Sequence, residues 1–166
     1  MAEALLISRK DLVRYTVLGG NVDTEKFIQF VKVAQDIHIQ GYLGTKLLRK
    51  IQDGITNDNL ATPYLELLEE YIKPMLIHFA MVEYIPFSAY TIANKGVFKH
   101  NSENSDSVEK TEVDFLVAKE RNIASSYVQR FLDHVNNNSS LYPEYNENSS
   151  GDQYPTQENF FIGWYI

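Results

Sequence analysis

The sequence predicts an all-α fold, on three observations. Between Thr62 and Asn94 apolar residues recur at three and four positions, and the segments 23–39 and 111–135 carry the same period on either side of that run. Together they predict one helical unit of four to five helices with a kinked central helix, a loop or short hairpin at about 95–110, and an extended C-terminal arm. The corresponding division of the chain is 1–140 for the helical domain and 141–166 for the arm.

The first element is a short helix from Arg9 to about Tyr15. Ser8 can cap its free amides, and Asp11 sits where a negative charge favours the positive end of the helix dipole. Gly19-Gly20-Asn21 breaks it. Asp23 then caps a helix that carries Phe27, Phe30, Val31, Ala34 and His38 on one face and runs to Ile39. Gly41 and Gly44 bracket Tyr42-Leu43, and a third helix is expected from Thr45 through Leu47, Leu48 and Ile51. The turn-rich stretch from Asp53 to Asn59 leads into the central helix.

In that helix Leu65, Leu68, Ile72, Met75, Leu76, Phe79, Val82 and Ile85 fall on one stripe. Thr62 is the expected cap and Pro63 the expected first helical residue, a position where the missing amide had no partner to lose. Pro74 is different, because inside a helix it removes one bond and crowds the carbonyl four residues back, at about 3 kcal/mol unless the helix bends. A kink near Tyr71 to Pro74 and a second bend or break near Pro86 are therefore expected. The window from Tyr71 to Ala93 approaches the length of a membrane span, but Lys73, His78, Glu83 and both prolines interrupt it. A core helix of a soluble domain accounts for it better.

The excursion from Lys95 to Lys110 is rich in Ser and Asn, with Val97 and Phe98 as its apolar members. Thr111 or Ser107 is the expected cap of the last helix, whose stripe is Val113, Leu116, Val117, Ala124, Tyr127, Val128, Phe131 and Val135. Asn136 to Ser140 ends it. From Leu141 onward there is no Lys or Arg, yet the segment holds Tyr142, Tyr145 and Tyr154 and closes with Phe160-Phe-Ile-Gly-Trp-Tyr-Ile166. Such an aromatic end is costly to leave in water, so an arm docked on its own core or on a neighbouring subunit is expected.

With 166 residues the chain is long enough for one well-filled core and short for two. The lack of cysteine removes disulfides, thiolate catalysis and cysteine-bound zinc. A net charge of −7 argues against a surface that grips nucleic-acid phosphates, although not against DNA that merely passes by. The first residues show neither the basic segment nor the apolar run of a signal peptide.

No catalytic chemistry stands out. The four histidines, His38, His78, His100 and His134, contain no pair at the three- or four-residue spacing that aims two imidazoles at a metal. Serine-nucleophile and phosphate-loop motifs are missing. Glu69-Glu70, and Glu83 on the apolar helix with His78 nearby, are the acid-base candidates to weigh, against the plainer readings of a solvated face and a paired buried carboxylate. No catalytic residue, cofactor or metal ligand is predicted. The expected functional residues are instead contact residues: Val97, Phe98, Lys99 and His100 in the excursion, and Tyr142, Tyr145, Tyr154, Phe160, Phe161, Trp164 and Tyr165 in the arm. Tyr71, Tyr84 and Tyr127 are assigned to the core.

The order of these elements, with Tyr42-Leu43-Gly44 where a longer helix ends, resembles the head-tail connector (adaptor, neck-ring) proteins of tailed bacteriophages. The segments Ala34 to Gly44, Tyr71 to His78 and Asn94 to Ser105 are most similar to connector-like proteins of crAss-like and other Bacteroidetes phages. The resemblance covers roughly Leu5 to Val135 and implies a structural virion protein. It implies a homo-oligomeric ring, commonly of about twelve copies, seated beneath the portal protein and against further neck or tail rings. The ring would surround the channel through which DNA passes without sequence-specific binding, with no membrane contact, at a virion neck assembled in the host cytoplasm. The tail from Leu141 is longer than in the simplest members of that family. A small bacterial helical binding or immunity-type module remains the alternative, and an enzyme built on Glu83 and His78 a further one.

Overall fold

The computed structural model describes residues 4–16, 24–88, 90–93, 96–99, 109–147 and 152–158. In chain order the elements are α1 (Arg9–Tyr15), α2 (Thr24–Ala34), a π turn (Gln35–Ile39), α3 (Gln40–Thr56), α4 (Tyr64–Leu67), a second π turn (Leu68–Ile72) and α5 (Lys73–Ser88). A hairpin of β1 (Tyr90–Ala93) and β2 (Gly96–Lys99) follows, then α6 (Lys110–Asn137), a 3-10 turn (Ser139–Leu141) and α7 (Pro143–Asn146). The fold is all-α, and among the described residues this hairpin is its excursion.

Local chemistry explains the start of α1. The Ser8 hydroxyl accepts from the Asp11 amide, and the Asp11 carboxylate accepts from the Ser8 amide at 2.8 Å, which closes a capping box. The same reciprocal arrangement starts α6, but there the cap is Glu109, answered by Glu112. This corrects the expected Thr111. Thr111 is the second residue of the helix, and Ser107 lies outside the described residues.

The expected break between Ile39 and Thr45 is narrower than the sequence implied. The chain stays helical through Gln35–Ile39 by widening to π geometry and leaves the helical path only at Gly44, with φ 72 and ψ 159. A residue with a Cβ is strained at that φ, which is why glycine stands there.

The central helix corrects two expectations. Its first residue is Tyr64, with Pro63 at the cap position and no side-chain capping bond. Register is interrupted where a kink was expected, as a π turn in which the Lys73 amide bonds the Leu68 carbonyl. Pro74 follows directly, and a widened turn relieves the crowding that its ring imposes on a regular helix. The extra residue rotates everything upstream by about 100°, so Leu67 is fully buried while the predicted Leu65 is 42% exposed. At the far end α5 stops at Ser88, two residues past Pro86, so the segment after it is not helix as far as Asn94. Tyr90–Ala93 is a strand instead, suited by its aromatic and β-branched residues.

The core forms around α5, which packs chiefly on α6 and α2. Met75, Leu76, Ile77, Phe79, Ala80, Met81 and Val82 are all buried, the pattern of a helix covered on every side. From α6 come Ala124, Val128, Phe131, Leu132 and Val135, and from α2 Phe27, Val31 and Ala34. Each fully buried Leu or Phe contributes about 1.5–3 kcal/mol. The N-terminal segment joins this core through Leu6 and Ile7. Two buried glutamines tie it down: Gln35 accepts from the Leu6 amide at 3.0 Å and donates to the Ala4 carbonyl, to which Gln52 also donates. Among the described residues, no helix is long and apolar enough to cross a membrane.

Candidate functional site

Two surfaces emerge from this framework, at the hairpin and along α3. Helices α5 and α6 run antiparallel, as the pairing of His78 with Glu120 (2.7 Å) and the stacking of Tyr71 on His134 (4.2 Å) require. The end of α5, the hairpin and the start of α6 therefore lie at one end of the domain. There Phe87, Tyr90, Phe115 and Leu116 are exposed, Phe115 at 68%. Thr111, Glu112, Phe115 and Leu116 line a shallow depression on α6. The hairpin is antiparallel, pairing Tyr90 with Lys99, Thr91 with Phe98, Ile92 with Val97 and Ala93 with Gly96.

The second surface is built by the C-terminal segment. Tyr142 packs edge-on against Tyr64, with its hydroxyl 2.9 Å from His134 Nε2, and Tyr145 packs edge-on against Phe131. Tyr64 in turn donates to Glu144 at 2.6 Å. Burial, that bond and the Glu144 charge push the Tyr64 phenol up to about 12. Beyond Glu147, which pairs with Lys46, residues 152–158 lie as a strap along α3. The Thr45 amide donates to the Gln153 carbonyl at 3.0 Å, and the Thr156 amide donates to the Gly41 carbonyl at 2.8 Å. Pro155 is buried against Gly44.

The expected contact residues divide accordingly. Val97, Phe98 and Lys99 form β2, while His100, Phe160, Phe161, Trp164 and Tyr165 lie outside the described residues. Tyr142 and Tyr145 are each only 1% exposed, which corrects their assignment: they fill the core and present no surface to a partner. Tyr154 is exposed on the strap at 44%. Phe87, Tyr90, Phe115 and Leu116 are exposed apolar side chains that the sequence reading did not single out as surface. For Phe115 the signal was available, since it falls off the stripe predicted for the last helix, on the side away from Val113 and Val117.

Glu83 and His78 are not brought together as an acid-base pair. Five residues apart on α5, they point to different neighbours: Glu83 bonds His38 Nε2 at 2.8 Å on the α2 side, and His78 bonds Glu120 on α6. His78 borders a cleft of about 400 Å³ with Lys73, Glu69, Tyr127 and Arg130, and Glu83 does not line it. Lys73 is already engaged there, 2.6 Å from Glu69 and 3.4 Å from Asp11. Among the described residues no three His, Asp or Glu side chains cluster as a metal site would require.

A family model matches residues 39–155, from the last residue of the first π turn to the proline of the strap. The chain belongs to DUF6712, a family of unknown function. The DUF6712 span takes in both Gly44 and Pro155, the two residues that meet at the helix break, together with the hairpin and all of α6. It leaves out α1 and α2. No curated protein matches the chain, and no solved structure does.

Proposed function

We propose that this DUF6712 chain is a structural subunit of the neck of a tailed bacteriophage. In this reading it forms a homo-oligomeric ring of about twelve copies beneath the portal protein, joins capsid to tail, and surrounds the DNA channel. The observation that carries the reading is the hairpin end. A helix of 28 residues shows Phe115 and Leu116 to solvent in its first two turns, at the same end of the domain as the exposed Phe87 and Tyr90. Apolar side chains held on a rigid helix fit an assembly contact. The order of helices, and Tyr42-Leu43-Gly44 at a break in the helical path, support the connector resemblance specifically. The net charge of −7 suits a conduit that DNA must leave freely.

The test mixes the purified chain with the portal protein of the same virion and follows the products by native mass spectrometry and electron microscopy. Portal-bound rings are expected. The substitution Phe115→Asp is expected to lower portal-bound chain at least tenfold while leaving folding stability within about 0.5 kcal/mol. A chain that stays strictly monomeric and ignores the portal overturns the proposal.

A further inference from the structure

The break in α3 and the strap across it are complementary in a specific way. In an uninterrupted helix the Thr45 amide would donate to the Gly41 carbonyl four residues back. The dihedrals of Gly44 are incompatible with that bond. Its two halves are instead satisfied separately by one extended segment, the amide by Gln153 and the carbonyl by Thr156. Between those two residues, Pro155 enters the gap, its Cδ 2.7 Å from where a Cβ on residue 44 would stand. The Thr45 hydroxyl, buried with its residue, accepts from the Gln153 amide at 3.2 Å and from Gln40 Nε2 at 3.1 Å. The arrangement thus reads a backbone donor, a backbone acceptor and a proline between them.

We propose that residues 41–45 are a peptide-binding slot for an extended Gln-x-Pro-Thr segment, that the chain's own residues 153–156 occupy it as a ligand in cis, and that strap binding and helix continuity are alternatives. With the strap in, α3 is broken at Gly44. With the strap out, Gly44 relaxes to helical dihedrals, Thr45 bonds Gly41, and α3 runs through without a gap. Release gives up two backbone bonds to the strap and forms one within the helix, while the Gln153 carbonyl and the Thr156 amide pass to water, so neither state leaves a buried backbone group orphaned. Among the described residues, the strap's ion pair is an exposed one, Arg49 with Asp152 at 3.4 Å, and Tyr154 is open to solvent. Weak flanking contacts and a satisfied alternative are what a releasable strap requires.

Amide hydrogen exchange on the full-length chain separates this from a merely structural strap. In the unaltered chain the Thr45 and Thr156 amides are expected to be protected. Gly44→Ala disfavours the left-handed break and favours helix. In that variant Thr156 is expected to lose protection at least tenfold while Thr45 keeps it, having changed acceptor from Gln153 to Gly41. Joint loss at both amides, or no change at either, overturns the proposal. Should Gly44→Ala not fold, Pro155→Ala provides a second route, read with a fluorescent peptide of residues 152–158. The peptide is expected to bind the Pro155→Ala chain at least tenfold more tightly than the unaltered chain, whose slot is filled. Equal affinity for the two chains, or binding to neither, overturns it.

Discussion

The two halves of α6 share an apolar composition and differ in what covers them. From Ala124 to Val135 the helix lies on α5, and its large side chains are buried; from Thr111 to Leu116 it has left the core, and Phe115 and Leu116 face solvent. Helix propensity does not distinguish the halves, and a capping box of Glu109 and Glu112 starts the exposed one as firmly as a buried one. The difference teaches that the side of the helix decides burial: Val113 and Val117, on the stripe of Ala124 and Val128, are half-buried, while Phe115 lies about 180° round from Ala124 and is exposed. Near the end of α5 at Ser88 the stripe is only half-covered, and the aromatic off the stripe is surface.

The sharpest way to break this contrast is to truncate one aromatic in each half. Phe131→Ala is expected to cost about 3–5 kcal/mol in urea unfolding, the range for emptying a buried aromatic site. Phe115→Ala should stay within about 0.5 kcal/mol. Comparable losses at the two positions would mean that the start of α6 is covered after all.

A middle-sized effect is expected where α1 meets α5. Burial opposes the charge of Asp11, but the Ser8 amide and hydroxyl and the Lys73 ammonium outweigh it and hold the carboxyl below its ordinary value of 3.8. A carboxyl depressed in the folded state contributes stability that is present above its ordinary value and lost as pH falls through the folded one. Asp11→Asn should therefore cost about 1 kcal/mol at pH 7, and the gap to the unaltered chain should close on acidification below 3.8. A gap that persists in acid would assign the loss to packing instead of charge.

The smallest effects separate the two buried tyrosines of the C-terminal segment. Tyr142→Phe gives up the bond to His134, worth about 1 kcal/mol. The Tyr145 hydroxyl has no hydrogen-bond partner among the described residues, and burial, with a smaller push from Tyr154, raises its phenol to about 12. Tyr145→Phe should thus be neutral or stabilising by up to about 1 kcal/mol. Thermal or urea midpoints of the two variants, measured together, check both signs.

Local chemistry made part of this molecule legible in its sequence. Ser8 with Asp11 announced α1, and the three- and four-residue spacing located α2, α5 and α6. Pro74 pointed to a break in register where the second π turn lies. What stayed hidden depends on distant partners. Gln35 and Gln52 look like surface residues until the backbone of Ala4 and Leu6 is laid beside them. Tyr142 and Tyr145 sit in a segment whose composition reads as a loose arm, and only their contacts with Tyr64, His134 and Phe131 make them core. Gly44 announced a turn, but nothing nearby in sequence reveals that Pro155 fills it from more than a hundred residues away.

The π turn at Leu68–Ile72 also governs how this region would tolerate a change in chain length. Deleting one residue there would restore an ordinary α-helix and leave the upstream segment facing as it does now, with Leu67 buried and Leu65 exposed. Keeping the residue and tightening the turn to α geometry would instead swing that segment by about 100° and pull Leu67 out of the core. The turn is thus one residue of slack, and a shortened chain would draw on it before disturbing what lies upstream.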